Sequence, residues 1–217
     1  MSDVLAEAVD AGRVFGTNGS KVVALQHATC KIERGDRIAL IGPSGSGKST
    51  LLHLLAALDE PTSNTVTWPA LGERETLRPS KISFVFQTES LLAPLTVLEN
   101  IEVPRLLAGS NADETRKDAA EILDALDLLA LADKLPEEIS GGQAQRAAVA
   151  RSLITMPAFI LADEPTGQLD HQTSKRLLDL LLRRLKGTDV ALVIATHDPI
   201  VAARMKTQWT IEHGLLR

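Results

Sequence analysis

Residues 42–49 read Gly-Pro-Ser-Gly-Ser-Gly-Lys-Ser, between an apolar run at 37–41 and a helical pattern of Leu51, Leu52, Leu54, Leu55 and Leu58. A strand that feeds a glycine-rich loop opening a helix is the βα unit of an α/β protein with a mainly parallel sheet. The spacing Gly-x-x-x-x-Gly-Lys-Ser also dictates a chemistry. Gly45 and Gly47 let the backbone curl so that successive N–H groups face phosphate oxygens, and the dipole of the following helix adds to the attraction. Gly42, Pro43, Ser44 and Ser46 complete this cradle. Lys48 is placed to reach β- and γ-phosphates, the Ser49 hydroxyl to ligate a bridging Mg²⁺, and Thr50 to assist at the α-phosphate.

Short unbroken apolar runs at 159–162 and 190–195 have the composition of central parallel strands, and the helical stretch 173–186 between them completes a βαβ unit. Asp163 and Glu164 follow the first of these runs and precede Pro165, so they fall on the sheet edge that carries the phosphate loop. Asp163 suits a Mg²⁺ ion held through water. Glu164 suits polarising the water that attacks a γ-phosphate. A mixed β-branched and polar run at 22–33 and a turn at 34–36 predict a strand ahead of the core. Residues 113–131 predict a helical lobe, and Gly141-Gly142 opens a further helix over 143–154.

Composition narrows the partners. Lys+Arg number 23 and Asp+Glu 28, a net charge of −5, which is the wrong sign for gripping a nucleic-acid backbone. With 4 Phe, 2 Trp and no Tyr, stacking platforms for single strands are also scarce. The 217 residues suffice for one domain. Acidic residues interrupt residues 1–10, so no secretory leader is expected, and no stretch is apolar enough to span a bilayer. Cys30, the one cysteine, reads as a buried strand residue in a reducing compartment.

One string narrows the class further. Ile139-Ser140-Gly141-Gly142-Gln143, followed by Gln145-Arg146 and ahead of Asp163-Glu164, resembles the signature of ATP-binding cassette (ABC) ATPases. The order Phe15, residues 42–49, Gln87, residues 140–143, Asp163-Glu164, Gln168-Leu169-Asp170 and His197 extends the resemblance over nearly the whole chain. It implies an α/β P-loop NTPase (RecA-like) core with a mainly parallel sheet, an N-terminal antiparallel β region and an inserted helical lobe. The chain would be a single nucleotide-binding domain over 1–217, with its core at about 1–87 and 156–217 and its lobe at about 88–155.

The resemblance also implies an ATPase that closes as a head-to-tail homodimer. ATP would lie between the phosphate loop of one copy and Ser140, Gly141, Gly142 and Gln143 of the other. Ser140 and the glycine N–H groups would be an anion-seeking helix start with no ligand in their own lobe. His197 would contact the γ-phosphate and orient Glu164, and Gln87 would touch Mg²⁺ or its water at the end of a strand over 82–86. Asp170 would reach across the interface, cap the next helix, or do both. Phe15 fits two roles, stacking on adenine or filling an apolar core. His27, His53, His171 and His213 match no family role, and Lys81, Arg183 and Arg184 read as solvated.

The runs 87–92, 95–101, 162–170 and 195–199 look most like the branch of lipoprotein-releasing and macrolide-export ATPases, which work with a separate membrane permease from the cytoplasmic face. Leu91, Leu92 and Leu95 are candidates to receive that permease, or to pack within the lobe. Residues 68–78 are short for the branch and lack its customary small helix, and Asn64 stands where a turn glycine is common. An ATP-driven regulatory or mechanical module acting on a membrane cell-wall or division factor is the alternative to solute transport.

Overall fold

The computed structural model describes residues 3–16, 21–88 and 90–217. Among them nine strands form one sheet in the order β4-β1-β2-β9-β8-β3-β7-β6-β5. The parallel half holds β3 (Arg37–Ile41), β5 (Ile82–Val85), β6 (Phe159–Asp163), β7 (Ala191–Thr196) and β8 (Thr207–Glu212). Every residue of β6 and β7 is buried, as a parallel sheet covered on both faces requires. The other half is antiparallel: β1 (Val4–Phe15) pairs with β2 (Val22–Glu33) and with β4 (Ser63–Thr67). The two-residue β9 (Leu215–Leu216), which the sequence did not suggest, joins the halves through the pair His27–Leu215.

The helices follow local chemistry. α1 (Lys48–Leu55) buries Leu51, Leu52, Leu54 and Leu55 against the sheet. Between β5 and β6 stand α2 (Val97–Leu107), α3 (Ala112–Ala125) and α4 (Gly141–Leu153). Thr96 and Glu99 form a reciprocal capping box on α2, and Asn111 caps α3. α4 turns Ala144, Ala147, Ala148 and Ala150 inward, small side chains that let neighbours approach closely. Ala147, Ala148 and Ala150 share one apolar cluster with Ile160, Ala162 and Ile194 of the sheet. α5 (His171–Arg184) buries Leu177, Leu178, Leu180 and Leu181 on one face, and the short α6 (Pro199–Ala202) follows β7.

Three expectations need correction. Residues 68–78 do contain a small helix, a single 3₁₀ turn at Arg74–Thr76. The guanidinium groups of Arg74 and Arg78 bond the carbonyls of Ala56 and Ala57, which end α1, so this turn serves as a helix C-cap. Lys81 is not simply solvated, because its Nζ donates to the Leu71 carbonyl at 2.6 Å and the Thr76 hydroxyl at 3.0 Å. The strand ahead of Gln87 ends at Val85, one residue early, because Phe86 spends its carbonyl on α4. Asn64 has φ 60° and donates its amide to the Asp10 carbonyl, as a residue replacing a turn glycine can. Cys30 is buried in β2.

Candidate nucleotide-binding site

The phosphate loop ends at Gly47, the N-cap of α1, with φ 108°. A Cβ there would lie 2.4 Å from the Ala24 carbonyl of β2, so both the turn and the close approach demand glycine. Lys48 is 7% exposed, and its Nζ donates to the carbonyls of Gly42 (2.8 Å) and Pro43 (3.0 Å) across the loop it would serve. The loop is braced from a distance. The Gly214 N–H donates to the Ser46 carbonyl at 2.9 Å, while the Gly214 carbonyl accepts from Gln26 of β2 at 2.8 Å.

Asp163 ends β6 at 5% exposure, and its Oδ1 is buried without a hydrogen-bond partner. Burial pushes its carboxyl above the usual carboxylate range; the Ser49 hydroxyl, His53 and Lys48 pull the other way, and Glu164 adds to the push. An unpartnered carboxylate oxygen beside a hydroxyl on a helix start supplies hard oxygen donors, which fit a divalent cation whose other ligands are phosphate and water.

Glu164 sits one residue beyond the strand with φ 47°, a backbone region costly for a residue with a Cβ. Its N–H bonds the Ala195 carbonyl at 3.0 Å, and its carbonyl accepts from Gly167 N–H at 3.0 Å, which fix this turn. Its Oε2 lies 2.7 Å from Nδ1 of His197; the imidazole side chain is 72% exposed and the carboxylate side chain 10%. His197 also lines a cavity of about 460 Å³ with Gly42 and Pro43. Lys48, Ser49, Asp163, Glu164 and His197 therefore converge, from three different βα junctions, on one sheet edge.

The remaining candidates stand elsewhere. Ser140 caps α4 in a reciprocal box: its Oγ accepts from the Gln143 N–H at 3.3 Å, and its N–H donates to Gln143 Oε1 at 2.7 Å. Its hydroxyl thus does have a partner in its own chain, contrary to expectation, because a capping box consumes it. The Gly141 and Gly142 N–H groups remain. Asp170 caps α5 by accepting from the N–H groups of Gln172 and Thr173 and from the Thr173 hydroxyl, which together hold its carboxyl below the usual range. No hydrogen bond or ion pair among the described residues joins Ser140, Gly141, Gly142, Gln143 or Asp170 to the Lys48 group.

Gln87 is exposed just past β5. Its neighbours show what sequence reading missed. Gln145 of α4, 1% exposed, donates Nε2 to the Phe86 carbonyl at 3.2 Å. Arg151, two turns on, donates to the Ser90 carbonyl and hydroxyl, both at 2.9 Å. The fully buried Asn100 of α2 bonds the carbonyls of Leu92, Leu95 and Thr96 and the Leu92 N–H. The segment after Gln87 is thus bound to the helix that opens at Ser140. The available signal was a polar residue on an otherwise apolar helix face. Leu91 packs against the helical core, whereas Leu92 is 46% exposed. The run 87–92 includes Glu89, which lies outside the described residues.

Phe15, at the end of β1, is 42% exposed, which removes the core role. One face of its ring is covered by the Arg13 guanidinium, 4.7 Å from the centroid.

A phosphate loop at a helix start, with a carboxylate pair and a histidine on the same sheet edge, defines a nucleotide-binding ATPase cassette. The ABC transporter family pattern matches residues 25–167. The chain belongs to that family. It is 40% identical over 223 residues to a lipoprotein-releasing system ATP-binding protein, LolD, of Legionella pneumophila (strain Paris), covering 100% of this chain and 98% of that protein. It is 44% identical over 202 residues to an ABC transporter ATP-binding protein of Thermotoga maritima, covering 88% and 85%. Among solved structures it is similar to a dimeric post-hydrolysis state of the ATP-binding cassette MJ0796 bound to ADP and Pi. That match has a TM-score of 0.89 and 32% identity, and covers 98% of this chain and 97% of the other.

Proposed function

We propose that this chain is the ATP-hydrolysing motor subunit of an ABC transporter. It binds MgATP, closes as a head-to-tail homodimer on two nucleotides, and drives a separate membrane permease from the cytoplasmic face. The observation that carries the reading is the 2.7 Å contact between Glu164 and His197 on the edge that also holds Lys48 and Asp163. In this mechanism the loop N–H groups and Lys48 hold the phosphates, and Phe15 receives the adenine. Lys48 leaves the carbonyls of Gly42 and Pro43 to do so. Ser49, Asp163 and Gln87 are the residues for Mg²⁺, which when bound neutralises charge developing on the phosphates. Glu164 takes the proton of the attacking water, and His197 fixes the rotamer in which it can do so.

Ser140, Gly141, Gly142, Gln143 and Asp170 serve the nucleotide of the partner copy, which accounts for the lack of any hydrogen bond or ion pair between them and the Lys48 group among the described residues. The core of 1–87 and 156–217 and the lobe of 88–155 move as two parts in this reading, with Arg151 carrying Ser90 along with α4 and Gln145 tying α4 to Phe86 of the core. The similar solved cassette is dimeric and bound to ADP and Pi, and the Legionella relative's name places it in a lipoprotein-releasing system. A permease would meet the exposed Leu92 and the nearby cavity of about 200 Å³ lined by Leu58, Phe84, Phe86, Pro104 and Arg151. No helix among the described residues is long and apolar enough to cross a membrane, and the permease of this reading is another chain.

The test is Glu164→Gln. ATP binding is retained, phosphate release falls by roughly two to four orders of magnitude, and an ATP-dependent dimer accumulates in size-exclusion chromatography. Unchanged phosphate release would remove Glu164 from the role and the proposal with it.

A further inference from the structure

We infer that Arg13 is a positioning residue for nucleobase binding: it holds the Phe15 ring as a one-faced platform, so base affinity depends on a residue remote from the phosphate loop. The inference rests on the reading of Phe15 as the residue that receives the base, and it deepens that reading.

An aromatic side chain at an exposed strand end has several rotamers open to it, and a ligand that stacks on it must select one. Ordering it costs the ligand affinity. At Phe15 a neighbouring cation favours one rotamer. The Arg13 guanidinium lies 4.7 Å from its ring centroid, within cation–π range, on the same strand two residues earlier. Arg13 is itself fixed. Its Nε donates to Asp59 Oδ2 at 2.8 Å and its Nη2 lies 2.7 Å from Asp59 Oδ1, a fork-to-fork pair in which both side chains are less than a quarter exposed. Asp59 is fixed in turn, since its N–H reaches the His53 carbonyl of α1 and its own carbonyl accepts from Arg74.

The chain of contacts runs from α1, the helix that opens at Lys48, through Asp59 and Arg13 to Phe15. One ring face carries the Arg13 cation, and the side chain is 42% exposed, which leaves surface for a flat partner. The ligand class is a nucleoside triphosphate, recognised at its base through stacking alone: Phe15 has no polar atom, so the platform reads the flat face and not the base edges.

The experiment compares two probes, ATP and inorganic tripolyphosphate, by titration calorimetry on the whole chain. Arg13→Ala is expected to weaken ATP about three- to tenfold while leaving tripolyphosphate unchanged. Phe15→Ala has at least as large an effect, Arg13→Lys retains part of the affinity, and Asp59→Asn falls between Arg13→Lys and Arg13→Ala. If Phe15→Ala weakens ATP and Arg13→Ala does not, the inference is overturned while the platform reading stands. If neither variant changes ATP affinity, the platform reading itself fails. Tighter ATP binding by Arg13→Ala would show that the guanidinium competes for the base's face, and equal loss of both probes would show that Arg13 acts on the phosphates or the fold; either result overturns the inference.

Discussion

Nδ1 of His197 stands 2.7 Å from Oε2 of Glu164, whose own backbone is held at φ 47° by bonds to Ala195 and Gly167. Two devices therefore aim one carboxylate: the turn sets its direction and the imidazole sets its rotamer. His197→Ala is predicted to lower phosphate release roughly tenfold to a thousandfold with ATP affinity changed less than threefold, in steady-state and binding measurements. Because the pair acts as a unit, adding His197→Ala to Glu164→Gln costs little more. Fully additive losses would separate the two residues.

The bond from Gln145 to the Phe86 carbonyl makes a second prediction. Gln145→Ala removes one attachment between α4 and the segment around Gln87 and leaves that of Arg151 to Ser90. Nucleotide affinity of the monomer is expected to be unchanged while turnover drops several-fold. Hydrogen exchange at residues 86–88 rises in the variant. Loss of ATP binding would instead place Gln145 in support of the fold alone.

Ser140 carries both a cap and a proposed contact with the partner's nucleotide. Ser140→Ala loses the cap, which costs about 1 kcal/mol of stability. Ser140→Arg adds bulk and charge at the helix start, and is predicted to keep ATP binding by the monomer yet abolish the ATP-dependent dimer in the Glu164→Gln background. A dimer that forms normally would contradict the shared site.

Burial pushes the Cys30 thiol up to about 12, against a smaller opposing pull from a backbone bond to Ala8. The thiolate is the reactive form, so the native protein is predicted to resist alkylation by iodoacetamide at pH 8 and to react only as it unfolds. Prompt modification under native conditions, read by mass, would disprove this.

The phosphate loop and the carboxylates were legible because their chemistry is local: a few consecutive residues with special backbone needs reveal themselves in any context. The parallel strands were legible for the same reason, since β6 and β7 are apolar throughout. What escaped depends on contacts distant in sequence. Lys81 reads as a surface lysine until the turn holding Leu71 and Thr76 folds over it. Leu91 and Leu92 are the same residue type side by side, and only packing decides that the first is half-buried and the second exposed. The roles of Gln145 and Arg13 required knowing which backbone carbonyl or ring each would face.

Gly214 adopts φ +78°, and a Cβ on it would come within 3.1 Å of the Ala24 carbonyl. It props the Ser46 carbonyl on one side and Gln26 on the other. The phosphate loop and the turn at Gly214 are thus joined although most of the sequence lies between them. A change in the turn at 212–214 would reach the loop without altering any residue of the Gly-x-x-x-x-Gly-Lys-Ser run. The shape of the phosphate loop is therefore a property of the folded domain and not of residues 42–49 taken alone.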